Sequence, residues 1–259
     1  MPLKARPIPV LMYHQIDHAP PAGSALRGLV VAPHTFFLHM AAMRLLGYRG
    51  LSMSDLMPYL LGQKTGKVFG ITFDDGYANN LRHAAPVLTR FGFSSTCYVV
   101  PQLCGKTNQW DFDNGVAQVP LMNQQEMQAW VDAGQELGSH TLTHARLTDA
   151  TQATKQAEIE ESRRAIDAMV SQRQGICHFC YPYGAFDAEV VAMVRQSGYA
   201  TATTTIRGRF AVGAQTDLLL VPRVLVSRTT SWIHLLVKCL TPYEDNRGTA
   251  AHCGDGVCP

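Results

Sequence analysis

No run of about 18 apolar residues occurs in this chain of 259 residues, which argues against a membrane-spanning helix. The first residues, MPLKARPIPVLMYH, also lack the apolar stretch and small-residue cleavage site of an export signal. The expectation is therefore a cytoplasmic protein without a transmembrane segment, with the membrane surface as an alternative location. Charge of one sign is scarce as well: 22 Lys and Arg stand against 20 Asp and Glu, without a basic run. That leaves no dense surface to neutralise phosphates and excludes nucleic acid as the expected partner. Cysteines number seven, an odd count without secretory context, so reduced thiols are expected rather than a disulfide framework. Cys177/Cys180 and Cys253/Cys258 have the local spacing of redox or zinc pairs. The first pair falls on an apparent strand, where free Cys acts as a small apolar filler, and the second in a glycine-rich tail.

What is present is the composition of a folded globular chain, 46% hydrophobic and 16% charged. Strand-like runs recur at residues 8–14, 68–75, 94–100, 135–141, 178–184, 201–205 and 221–227. Helical spacing lies between them at 77–91, 123–133, 187–196 and 231–240. A further helix follows His144: Thr148 can cap it, Ile159, Ile166, Met169 and Val170 form its apolar stripe, and Lys155, Glu158, Glu161 and Arg164 read as a solvated face. The alternation reads as parallel βα units, hence an α/β barrel or a doubly wound sheet. A single domain over 1–240 with a flexible tail at 241–259 is expected. Residues 101–120 have no clear period and carry Trp110, which fits either a lid or binding loop or a surface excursion with one anchored Trp.

The strongest feature is Ile71-Thr72-Phe73-Asp74-Asp75-Gly76-Tyr77, an apolar strand that ends on two carboxylates and a glycine turn. A turn there lets both carboxylates reach one pocket, one binding metal and the other handling a proton. Gly138-Ser139-His140-Thr141-Leu142-Thr143-His144 follows another strand, and a four-residue spacing brings both imidazoles to one side of a helical turn. With one Asp, His140 and His144 give two nitrogens and one oxygen and leave a position open for water, the pattern of a catalytic divalent-metal site. Two further strand ends, at His14 and at Pro182-Tyr183-Gly184, would meet the same pocket if all strands are parallel.

These motifs resemble carbohydrate esterase family 4, the polysaccharide deacetylases that share the NodB homology domain. The resemblance covers roughly residues 8–227 and implies a distorted (β/α)7 barrel. It implies Asp74 as base, Asp75 with His140 and His144 as metal ligands, and the backbone N–H of Tyr183 as a donor to the oxyanion. The chain departs from the family's common form in two places. Cys180 stands where an arginine is usual, and the C-terminal Leu-x-His motif is absent. Leu11-Met12-Tyr13-His14 looks like the permuted form found in biofilm poly-N-acetylglucosamine deacetylases, with His14 as general acid. Arg223 in Val221-Pro222-Arg223-Val224 is then the candidate for the missing arginine, with a structural ion-pair partner as the alternative.

The implied function is hydrolysis of an N-acetyl group from an N-acetylhexosamine-containing glycan or glycan precursor, with a lipid-linked substrate as one option. Zinc is the expected ion, with nickel, cobalt or iron as alternatives. The rivals are a deformylase or O-acetyl esterase with the same apparatus, a non-haem iron oxygenase, and a glycan-binding relative without catalysis. The oligomeric state is not legible in the sequence.

Overall fold

A parallel sheet wrapped by helices must be apolar on both faces, and Val68–Phe73 meets that condition with every residue buried. In the computed structural model, which describes residues 6–213 and 216–252, this strand is the fifth of ten. The others are β1 (Val10–Tyr13), β2 (Gln15–Ile16), β3 (Val30–Val31), β4 (Arg49–Leu51), β6 (Thr96–Val99), β7 (Glu136–Ser139), β8 (His178–Cys180), β9 (Thr201–Arg207) and β10 (Val221–Leu225). Parallel pairing runs β1, β5, β6, β7, β8, β9, β10 and back to β1. This closes seven strands into a barrel, as expected for a distorted (β/α)7 fold in a single domain. Strand β4 adds to the start of β5 through Val68–Gly70. Only three residues long and holding an Arg and a Gly, it shows no alternation in the sequence and was not expected.

Around the barrel lie α1 (Pro33–Leu45), α2 (Met53–Leu60), α3 (Ala78–His83), α4 (Ala85–Phe91), α5 (Gln124–Asp132), α6 (Gln152–Met169), α7 (Ala188–Gln196), α8 (Trp232–Leu240) and α9 (Asp245–His252). None is long and apolar enough to cross a membrane. The helix expected over 77–91 is two helices, broken before Pro86. Asn123 caps α5 in a capping box with Glu126. The cap of α6 is Thr151, not Thr148, because a short 3-10 turn at Leu147–Asp149 intervenes. Two charges on the face of α6 expected to be solvated are instead buried: Lys155 pairs with Glu189 at 2.5 Å, and Glu158 turns towards the barrel. Residues 241–248, expected in a flexible tail, contain the fully buried Glu244, which pairs with Arg207 and Lys238. Those ion pairs hold the start of α9 against β9. Cys253 and Cys258 lie outside the described residues.

The core lies under the ends of β1 and β5. Tyr13 stacks on Phe73 at 5.6 Å, Phe36 meets Tyr13 edge-on, and Trp130 meets Phe73 edge-on. The Tyr13 hydroxyl donates to His39 Nδ1, whose other nitrogen donates to the Thr230 carbonyl. Burial pushes the His39 pKa down to about 4, so the ring stays neutral and suits this arrangement. At the other end of the barrel, Glu136, Ser54, Thr96, His178 and Thr201 form a satisfied polar plug.

Strand β7 passes so close to its neighbours that a Cβ on Gly138 would lie 2.6 Å from the Tyr98 ring and 2.9 Å from the His178 carbonyl. Gly138→Ala is therefore expected to destabilise the fold by about 1–3 kcal/mol, read as a lower urea midpoint at unchanged slope.

Candidate active site

The carboxyl ends of the barrel strands gather the residues that the motifs single out. The Asp74 N–H still bonds the Tyr13 carbonyl as part of the sheet, whereas Asp75 (φ 74°) and Gly76 (φ 77°) turn the chain sharply. That reversal lets two adjacent carboxylates face one cavity from different sides. His140 likewise continues β7, its N–H bonding the Val99 carbonyl. The histidine pair does not lie on a helical turn. Thr141 (φ 63°) and His144 (φ 67°) are both left-handed, and the segment between the two rings is a tight loop.

Asp75 Oδ1 lies 3.4 Å from His140 Nε2 and 3.3 Å from His144 Nε2, and all three side chains are buried. His140 Nδ1 contacts the Cys180 carbonyl at 2.8 Å, so in the neutral ring that nitrogen carries the proton and Nε2 presents a lone pair. A nitrogen lone pair aimed at a carboxylate oxygen is repulsive unless a proton or a cation lies between them. The donor set therefore fits a divalent ion of the nitrogen- and oxygen-binding kind. With protons rather than an ion on the two Nε2 atoms, burial would raise the Asp75 pKa, but hydrogen bonds from His140 and His144 outweigh it and hold the carboxyl well below the usual range.

Asp74 has a different environment. Both of its oxygens are bound by Arg223, Nη1 to Oδ1 at 2.6 Å and Nη2 to Oδ2 at 2.8 Å. The guanidinium is buried and also bonds the Thr204 carbonyl, Thr72 Oγ1 and Cys180 Sγ. Strand β10 places it there by ordinary alternation with Val221, while the ladder with β9 is irregular: Val221 faces Thr203 whereas Arg223 faces Arg207. Burial alone would raise the Asp74 pKa, yet the charge and hydrogen bonds of Arg223 hold it below the ordinary value. Asp74, His140 and Cys180 also lie close enough to share an ion, but the guanidinium already on Asp74 and Cys180 repels a cation there. Asp75, His140 and His144 form the better cation site.

His14 approaches from β1, its Nε2 3.9 Å from Asp74 Oδ2, while its Nδ1 is buried without a protein partner. Tyr183 is left-handed (φ 59°) and its ring meets His144 edge-on at 4.7 Å. Gly184 must follow it, because a Cβ there would collide with Thr205. All seven predicted site residues thus reach one face of the barrel. Cys180 is part of this centre rather than an apolar filler, and Cys177, three residues away along the strand direction, faces the opposite side and is half-buried.

One contributor stood open between two readings of the sequence, and one escaped it. Trp110, in the 101–120 segment, stacks on His144 with ring centres 4.2 Å apart, so that segment belongs to the site. Glu158 holds the loop between the two histidines. Beside His14 and Asp75 a cleft of about 140 Å³ opens. Gln15, Asp17 and His18 make its polar side, and Leu26, Leu29, Val116 and Val119 its apolar one.

The sequence profile of the polysaccharide deacetylase family matches residues 62–202, more than half of the chain. The chain belongs to the polysaccharide deacetylase family. It is thereby a hydrolase of the carbohydrate esterase family 4 type. YxkH of Bacillus subtilis, named as a polysaccharide deacetylase, is 28% identical over 207 residues, which cover 79% of this chain and 67% of that protein. The Streptococcus pyogenes deacetylase PplD, solved in complex with acetate, shares the fold with a TM-score of 0.78 at 24% identity, over 91% of this chain and 99% of that one. IcaB from Ammonifex degensii shares it with a TM-score of 0.74 at 20% identity, over 91% and 98%. Both likenesses are of fold.

Replacing Arg223 by Met leaves the Asp74 carboxylate buried and unpaired. The expected loss is about 3–5 kcal/mol at neutral pH. The contribution of a depressed carboxyl is present above its unfolded pKa and disappears as pH falls through the folded one. The gap between Arg223→Met and the parent should therefore narrow as the pH falls below ~4, as urea midpoints at several pH values would show.

Proposed function

We propose that this protein removes the N-acetyl group from an N-acetylhexosamine-containing glycan or glycan precursor, with a divalent ion, zinc in our assignment, held by Asp75, His140 and His144. The observation that carries this reading is the division of labour at the strand ends. Three convergent lone-pair donors share one end of the barrel with an arginine-paired carboxylate and the histidine beside it. An oxygenase reading would leave Asp74 and His14 without a task.

A bound ion would supply Lewis acidity, lowering the pKa of a water from ~15.7 towards ~7 and polarising the acyl carbonyl. Asp74, kept ionised by Arg223, accepts the proton of that water as its oxygen attacks the carbonyl carbon. Tyr183, whose left-handed backbone turns towards the centre, donates its N–H to the oxygen that becomes negative. The C–N bond then breaks, and His14 passes a proton to the leaving amine, which without it is a very poor leaving group. We place the sugar in the adjoining cleft, where Gln15, Asp17 and His18 meet its hydroxyls and the apolar wall meets its ring face.

His14→Ala is expected to keep its metal and lose about 10²–10⁴-fold in deacetylation, whereas His140→Ala loses both. Elemental analysis beside acetate release from N-acetylglucosamine oligomers reads the two effects, and full turnover by His14→Ala would remove it from the mechanism. Asp74→Asn, whose amide oxygen can still accept from Arg223, should bind metal and be inactive, at reduced stability because the buried guanidinium loses its counter-charge. Formate release from N-formyl sugars and acetate release from O-acetyl sugars test the bond: faster release from either would replace the N-acetyl assignment.

A further inference from the structure

The segment between the two histidines adopts a conformation that its own residues disfavour. Thr141 is β-branched and left-handed at φ 63°, and His144 is left-handed at φ 67°. Such backbone persists only where its surroundings over-determine it. The Thr141 hydroxyl accepts the Ala145 N–H, and the Gln102 N–H bonds the Leu142 carbonyl. The largest share of the restraint comes from one buried side chain on α6. Glu158 Oε2 accepts the N–H groups of Leu142 at 2.8 Å and Thr143 at 2.9 Å, and Oε1 accepts the Thr143 hydroxyl at 2.6 Å. One turn further on the same helix face, Ser162 bonds Ser139, the residue before His140. Helix α6 thus grips the histidine segment at two points.

We propose that Glu158 is a positioning residue that sets the His140–His144 pair for metal, so that its loss weakens metal binding without unfolding the chain. This rests on the metal reading above. Three hydrogen bonds to one carboxylate fix the loop that separates the two ligands, and hydrogen bonds of this charge-assisted kind are stronger than neutral ones. Residues behind metal ligands typically change metal affinity by 10–100-fold when removed.

The test is zinc affinity by chelator competition, with the visible absorption of the cobalt-loaded protein as a second readout and the melting temperature of the metal-free protein as a control. Glu158→Ala should bind zinc about 10–100-fold more weakly and show an altered cobalt spectrum. Glu158→Gln should recover most of the affinity, because its amide oxygen can accept both N–H groups while its NH2 donates to the Thr143 hydroxyl. A Glu158→Ala protein that melts earlier when metal-free but binds zinc like the parent would overturn the proposal in favour of a purely structural role. Should Glu158→Ala not fold, Thr143→Val removes only the hydroxyl contact; a several-fold loss of affinity supports the proposal and an unchanged value overturns it. His140→Ala separates the two claims: if it also leaves zinc affinity unchanged, the metal site itself is wrongly assigned, whereas a loss there with none in Glu158→Ala rejects Glu158 alone.

Discussion

The Arg223 guanidinium sits inside the barrel, 1% exposed, where an unpaired charge would be too costly to keep. The strands around it supply what it needs. β10 delivers it, β9 offers the Thr204 carbonyl, and β5 offers Thr72 Oγ1 and leads into Asp74. The Thr72 hydroxyl in turn donates to the Leu11 carbonyl, which ties in β1, the strand that ends on His14. A buried ion pair seldom adds net stability over a hydrophobic replacement, but removal of one partner is severe. The pair therefore constrains the barrel's register here: strands that carry the proposed base, the ion-pair partner and the proposed acid cannot slide independently while the guanidinium remains satisfied.

The same contact explains why the chain tolerates Cys180 at the position where the family usually has arginine. The cationic group is still present, and its Nη2 lies 3.3 Å from Cys180 Sγ, so the thiol fills space beside a guanidinium that arrives from another strand. What matters to Asp74 is a positive charge with two donors facing its two oxygens, and the geometry of the guanidinium supplies that from either direction.

Those parts of the site that end strands were legible in the sequence, because a buried apolar run has no packing reason to close on Asp-Asp-Gly or on histidine. The barrel followed from the same runs once their parallel order was assumed. Where the reading failed, the deciding contact lay far away in the chain. Glu158 shares its helix with exposed charges, and nothing local marks that two backbone N–H groups some fifteen residues earlier will meet it. The four-residue spacing of His140 and His144 suggested a helical turn, but left-handed backbone at a threonine is favoured by no sequence propensity and exists because the surroundings impose it. Trp110 has no periodic context, and Glu244 lies beyond the last strong helix signal although Arg207 and Lys238 bury it.

Asp74 and Asp75 are chemically identical neighbours, so their different tasks must come from what faces each. Asp74 meets a permanent cation, which holds it ionised and fills its inner side, so it can accept a proton but is a poor host for a metal. Asp75 meets two imidazoles, one of them fixed by the Cys180 carbonyl with its Nε2 lone pair turned inward, so it completes a ligand set. The left-handed turn at Asp75 is what makes the separation possible: in a regular extended strand the two carboxylates would point to opposite faces of the sheet, and only one would reach the cavity. Backbone strain at one residue thereby gives a repeated side chain two distinct environments, the basis of the two functions proposed for the pair.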